Sequence, residues 1–112
     1  MSFYRIDDLP AVDMLPGVTR RAVWLDGVMV TFFSFEPGSI VPEHAHPHEQ
    51  ITVVTRGAME FTLGDETLRL GAGDGVCIPA NVPHRARILD ETTEAIDAWN
   101  PPRDDYKPSS DG

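Results

Sequence analysis

The chain has a single cysteine in 112 residues, Cys77, which excludes an internal disulfide. It is short of positive charge, with 9 Lys and Arg against 18 Asp and Glu and a formal net charge of -9. The basic residues are scattered, whereas a phosphate backbone is met by clustered Lys and Arg, so the charge argues against nucleic acid. No apolar run approaches the roughly 18 residues of a membrane-spanning helix. The start, MSFYRIDDLP, lacks a charged segment leading into an apolar one, so no secretory signal is visible. These absences point to the cytoplasm. Helical periodicity is missing too: no stretch repeats apolar residues at three and four for long enough to predict a helix.

What is present is alternation. QITVVTRG sets Ile51, Val53 and Thr55 against Thr52, Val54 and Arg56, and AMEFTL sets Met59, Phe61 and Leu63 against Ala58, Glu60 and Thr62. A period of two is the mark of a half-buried strand. MVTFFSFE, TLRL, GVCI, HRARIL and TEAIDAW read as further strands, and EPG, RG, LGDE, GAGDG and PANVP as the turns between them. Asp26-Gly27 reads as a hairpin turn. Short strands at regular intervals predict an antiparallel sandwich or barrel. The length fits one domain. Residues 1–17 are expected to form an arm or first edge strand and 18–103 the barrel. Residues 104–112, the end of the Pro- and Ser-rich stretch NPPRDDYKPSSDG, are expected to be a flexible tail. Cys77 reads as a small buried hydrophobe. Trp24, Phe32, Phe33 and Phe35 read as core or interface, and Arg85 and Arg87 as facing away from the core.

PEHAHPHEQ, residues 42–50, holds three of the four histidines, and GVCIPANVPH delivers the fourth, His84, from a proline-framed loop. On a strand, His44 and His46 share a face. If the chain turns at Pro47 and returns, Gln50 can face the same pair. Three neutral imidazoles and a carbonyl oxygen suit a divalent first-row metal and leave positions open for substrate. On spacing alone, a polar histidine-rich loop remains the competing reading.

The flanking residues carry a more specific resemblance. Gly38, five residues, His44-Ala45-His46, three residues, Gln50, six residues, Gly57 is similar to the first motif of the cupin family, with Gln in place of Glu. Gly73, five residues, Pro79-Ala80-Asn81, two residues, His84 is similar to the second, with Asn81 in place of Gly and Ile88 in place of the closing Asn. The resemblance spans about residues 18 to 100. It implies an all-β cupin jelly-roll barrel (double-stranded β-helix) holding one divalent ion, Zn, Ni, Mn or Fe, on His44, His46, Gln50 and His84. His48 falls in the intervening turn, and Glu49 could replace Gln50 only by a register shift that flips the strand's faces. A neutral Gln leaves the site one negative charge short of a three-His, one-Glu set and the ion more electrophilic.

HAHPHEQITVVTRGAMEFTLGDETLRLGAGDGVCIPANVPH, with DAWNPPRDDY, also resembles the small cupins of bacterial pectin and alginate breakdown. That resemblance implies a metal-dependent, isomerase- or lyase-like conversion of 4,5-unsaturated uronate monosaccharides to linear 5-keto-4-deoxyuronate. Asp97 would be the acid/base, Trp99 would stack on the sugar, and Arg103 would clasp its carboxylate. In TEAIDAW, Asp97 and Trp99 share a face opposite Ile96 and Ala98, either lining the cavity or lying outside. Small cupins of this kind usually pair through their N-terminal strands, which implies a homodimer, and the partner implied is a small anionic sugar, without nucleic acid or membrane. The competing readings are a polyketide cyclase, a dioxygenase, and a non-catalytic sugar- or metal-binding cupin.

Overall fold

The computed structural model describes residues 2–107. Ten strands follow in chain order: β1 (Val12–Leu15), β2 (Val18–Trp24), β3 (Met29–Phe35), β4 (Ile40–His44), β5 (Glu49–Arg56), β6 (Ala58–Leu63), β7 (Glu66–Gly71), β8 (Gly75–Ile78), β9 (His84–Ile88) and β10 (Thr93–Asn100). They pair antiparallel in two sheets, β1-β2-β3-β10-β5-β8 and β4-β9-β6-β7, the jelly-roll arrangement. The helical elements among the described residues are two three-residue 3-10 turns, Ile6–Asp8 and Asp104–Tyr106.

The alternation decides what each strand buries. β10 turns Thr93, Ala95, Asp97 and Trp99 inward, β5 turns Gln50, Thr52 and Val54, and β9 turns His84, Ala86 and Ile88. Met29, Val54, Met59 and Ile88 form the apolar centre, with Phe33 stacked on Phe35 at 5.6 Å between centroids. Among the inward positions, Thr31, Gln50, Thr52, His84 and Asp97 are polar. Burying a polar group is costly unless it is hydrogen-bonded: Gln50, Thr52 and Asp97 bond in series, Thr31 accepts from Trp99, and His84 meets the Val82 carbonyl. That requirement shapes the site.

Two backbone positions explain motif residues. Gly57 joins β5 to β6 at φ 78°, and a Cβ there would run into Thr93 Oγ1 and the Thr92 carbonyl, so glycine is demanded by both dihedral and space. Asn81 takes φ 67°, a left-handed conformation that Asn tolerates in place of Gly, and its N–H donates to the His46 carbonyl at 2.7 Å. This bond ties the loop of the second motif to that of the first.

Three findings differ from the sequence reading. β2 and β4 are strands that no alternation announced. Arg20 occupies an inward position of β2, and Pro42 and Glu43 interrupt β4. Cys77 is exposed rather than buried, because β8 turns it to the outside. The tail expected to be loose from residue 104 begins with an ordered turn whose Tyr106 is buried; its remaining stretch, 108–112, lies outside the described residues. Trp24 is 40% exposed, whereas Phe33 and Phe35 belong to the core. Residues 12–15 of the N-terminal arm form edge strand β1 against β2.

Candidate metal centre

The two sheets bring the histidines together by register. His44, the last residue of β4, is the direct partner of His84, the first residue of β9. His46 reaches the same point from the loop between β4 and β5. One nitrogen from each of His44, His46 and His84 lies within 4.8 Å of the others. Gln50, on the inner face of β5, sets Oε1 at 3.1 Å from His46 Nε2. His48 is not in this cluster. Its carbonyl accepts from the His46 ring, and its own ring meets the edges of His46 and Trp99. Glu49 is exposed, at the outward position beside Gln50.

Hydrogen bonding fixes which nitrogens are free. His44 Nδ1 faces the Pro42 carbonyl at 2.9 Å, His46 Nδ1 the His48 carbonyl at 3.0 Å, and His84 Nδ1 the Val82 carbonyl at 2.9 Å. A carbonyl only accepts, so each Nδ1 carries the proton and each Nε2 a lone pair. His84 Nε2 is buried with no partner. His46 Nε2 looks at the Gln50 carbonyl oxygen, lone pair to lone pair. That amide is oriented from its other end, where Nε2 donates to Thr52 Oγ1 at 2.9 Å and Thr52 Oγ1 donates to Asp97 Oδ1 at 2.6 Å. An orphaned buried nitrogen beside two facing acceptors is what a cation would satisfy, so His44, His46, His84 and Gln50 fit a divalent ion.

The electrostatics agree. Burial lowers the pKa of His84 to about 4, aided by the charges of His44, His46 and Arg103. Burial also lowers His46, with Arg103 and His44 contributing. Both are neutral at pH 7, as ligands must be. Asp97, 5% exposed, moves the opposite way: burial raises its pKa to about 7, against the lowering effect of its bonds from Thr52 and Gln50.

Asp97 and Trp99 both face inward. Cross-strand pairing places Asp97 opposite Thr52 and Thr31, and Trp99 opposite Gln50 and Met29. They line one cavity together with His44, Gln50, Thr52 and His84. The cavity volume is about 60 Å³, and the cavity is partly open to solvent. Trp99 Nε1 donates to Thr31 Oγ1 at 2.9 Å, which holds the indole edge-on to His46.

Arg103 lies over this floor, its guanidinium 5.1 Å from the Trp99 ring centroid and 4.0 Å from that of Tyr106. Nε and Nη2 donate to the two Asp105 carboxylate oxygens at 3.2 and 2.8 Å, and Nη1 donates to the Tyr106 hydroxyl at 2.9 Å. Sequence reasoning missed Thr52, Asp105 and Tyr106. A threonine in a strand reads as a β-former, and Asp105 and Tyr106 sit in a stretch whose composition reads as a tail.

Comparison with known proteins agrees with this geometry. The Cupin_2 family model, described as a cupin domain, matches residues 31–98. The structure of KdgF from Halomonas sp. superposes with a TM-score of 0.89 at 32% identity, covering 96% of this chain and 99% of that one. An RmlC-like cupin from Shewanella frigidimarina superposes with a TM-score of 0.90 at 25% identity, covering 96% of each chain. Among curated sequences, dimethylsulfoniopropionate lyase DddQ of Ruegeria pomeroyi is 38% identical over 63 residues, which are 55% of this chain and 31% of that protein. The match therefore spans about a third of that relative's length.

Proposed function

The chain belongs to the cupin family, and from that premise we propose that it linearises 4,5-unsaturated uronate monosaccharides to 5-keto-4-deoxyuronate. The observation that carries the reading is a buried carboxyl, Asp97, lining the same cavity as His44 and His84 of the triad, with a pKa of about 7. The likeness to KdgF over nearly the whole of both chains supports it.

The substrate is a cyclic enol ether bearing a carboxylate. Opening takes a proton from the ring hydroxyl as the ring C–O bond breaks, and delivers one to the carbon of the resulting enol. No water is consumed. A carboxyl that titrates near neutrality can both take and give that proton. Thr52 holds Oδ1 of Asp97 at 2.6 Å, which leaves the other oxygen for the substrate. When bound, the divalent ion on His44, His46, His84 and Gln50 supplies Lewis acidity toward a substrate oxygen. Arg103, fixed over Trp99, meets the substrate carboxylate, and Trp99 and Tyr106 form the aromatic ground beneath it. The enzyme works on monosaccharides in the cytoplasm, as a homodimer.

A polyketide cyclase would need an apolar chamber matched to a long chain. The Arg103 guanidinium over Trp99 and Tyr106 favours a carboxylate-bearing substrate over an apolar chain. The test is the near-ultraviolet absorbance of freshly made 4,5-unsaturated galacturonate. Decay faster than in buffer, lost in Asp97→Asn, is expected. Decay at the buffer rate, in protein shown to hold its metal, contradicts the assignment.

A further inference from the structure

Arg20 has no part in the site described so far, yet it is only 9% exposed, at an inward position of β2 between Val18 and Ala22. A guanidinium keeps its charge in a protein, so burying one is costly unless it is compensated. None of the ion pairs among the described residues involves Arg20. Its Nε is buried without a partner. Its compensation comes from two contacts. Nη2 donates to the Asp105 backbone carbonyl at 3.1 Å, and the guanidinium lies 4.5 Å from the Tyr106 ring centroid. Both contacts land on the turn 85 positions away, and on the two residues that hold Arg103.

We propose that Arg20 is a positioning residue for Arg103: by fastening Asp105 and Tyr106, it fixes the Arg103 fork over Trp99 and thereby sets the preference for carboxylate-bearing ligands. The second half of this statement rests on the proposed role of Arg103 as carboxylate clasp; the first half does not. Two of the attachments that hold the turn of Asp105 and Tyr106 run to Arg20. A planar cation is required for both attachments at once, since the same group must lie against a ring and reach a carbonyl. A Lys can do one or the other. With the turn loosened, Arg103 has to be ordered anew by each ligand, which weakens binding more than it slows chemistry.

Arg20→Met and Arg20→Lys test this in the metal-loaded full-length protein, with Arg20→Gln in reserve should the Met variant fail to fold. The first readout needs no substrate. The Arg103 Nε–Hε signal in a nitrogen-15 NMR spectrum, assigned by its loss in Arg103→Lys, is expected to be resolved and slowly exchanging in the wild type. It should collapse into the exposed-arginine envelope in Arg20→Met, with at most partial recovery in Arg20→Lys. An Arg103 signal unchanged in position and exchange overturns the proposal. The second readout compares unsaturated galacturonate with its methyl ester. For the acid, KM should rise about tenfold with kcat within about twofold, and the ester should be little affected. Equal losses on acid and ester, or a fall in kcat alone, mark a purely structural residue and overturn the specificity role. If the wild type leaves unsaturated galacturonate unconverted, the uronate reading falls by itself, and the NMR signal still decides whether Arg20 positions Arg103.

Discussion

Each imidazole of the triad has Nδ1 tied to a backbone carbonyl and Nε2 left for a cation, so no single ring is replaceable by its neighbours. His84→Ala should lower retained metal from about one ion per chain to below about a tenth after dialysis, as measured by atomic absorption. Full retention would show that His84 is not a ligand. Asp97 yields a prediction of a different kind. Its pKa is 3.8 in the reference state and about 7 in the fold. Between those values the unfolded chain has released the proton and the folded protein has kept it. The folded state therefore loses stability as pH rises through that window, and the loss is complete above it. In metal-free protein, Asp97→Asn should be more stable than wild type at pH 8 by on the order of 2–4 kcal/mol, with the gap closing toward pH 4. Thr52 can still donate to the new amide oxygen. Comparing the two proteins by urea denaturation at each pH cancels the contributions of the histidines, and a gap that does not change with pH would contradict the assignment of a buried, protonated carboxyl. Of these residues, the histidines and Gln50 were singled out by the resemblance of their spacing and flanking glycines to the cupin motifs, spacing alone leaving a polar loop open, and for Asp97 and Trp99 alternation left two faces to choose between. Thr52 was not legible, since its importance lies in the hydrogen-bond chain from Gln50 to Asp97, a property of cross-strand register.

At the scale of elements, the turn at Asp104–Tyr106 contributes more to the site than its length suggests. Tyr106 meets Phe33 and Trp99 edge-on and is 5% exposed. Tyr106→Ala should destabilise the protein by about 3 kcal/mol, the usual result of deleting a buried ring, as read by chemical denaturation. A loss under about 1 kcal/mol would show that the turn is not docked. Gly57→Ala should be costly for another reason, because the new methyl meets Thr93 and the Thr92 carbonyl at a left-handed dihedral. β5, β6, β9 and β10 were visible in sequence through their period of two. β2 escaped because Arg20 stands where an apolar residue is expected, and the structure shows why that position tolerates it: the charge is held against Tyr106 and a carbonyl. The burial of Tyr106 was hidden for the matching reason, since the partner that fastens it is distant in sequence.

Over the whole molecule, the outer face of the six-stranded sheet is unusually apolar. Cross-strand pairing lines up Phe32, Ile96 and Val53 in one row and Val30, Ala98 and Ile51 in the next, and Ile51 is 58% exposed. Tyr4, from the N-terminal segment, packs against Phe32 at 6.1 Å. Contiguous apolar surface on a small acidic protein fits an interface, and a homodimer is expected to use this face. Sedimentation at micromolar concentration should give twice the chain mass, and Ile51→Asp with Val53→Asp should give the monomer. A monomeric wild type contradicts the dimer. The proposed chemistry needs the combined site: one ion on three histidines and a glutamine, with Asp97 alongside. Its most direct test is to strip the metal, restore it in steps, and follow conversion of 4,5-unsaturated galacturonate at each step. Activity should be absent in stripped protein, rise with bound metal to a plateau at one ion per chain, and stay absent at every loading in Asp97→Asn. Conversion by stripped protein, or by loaded Asp97→Asn at the wild-type rate, would contradict it.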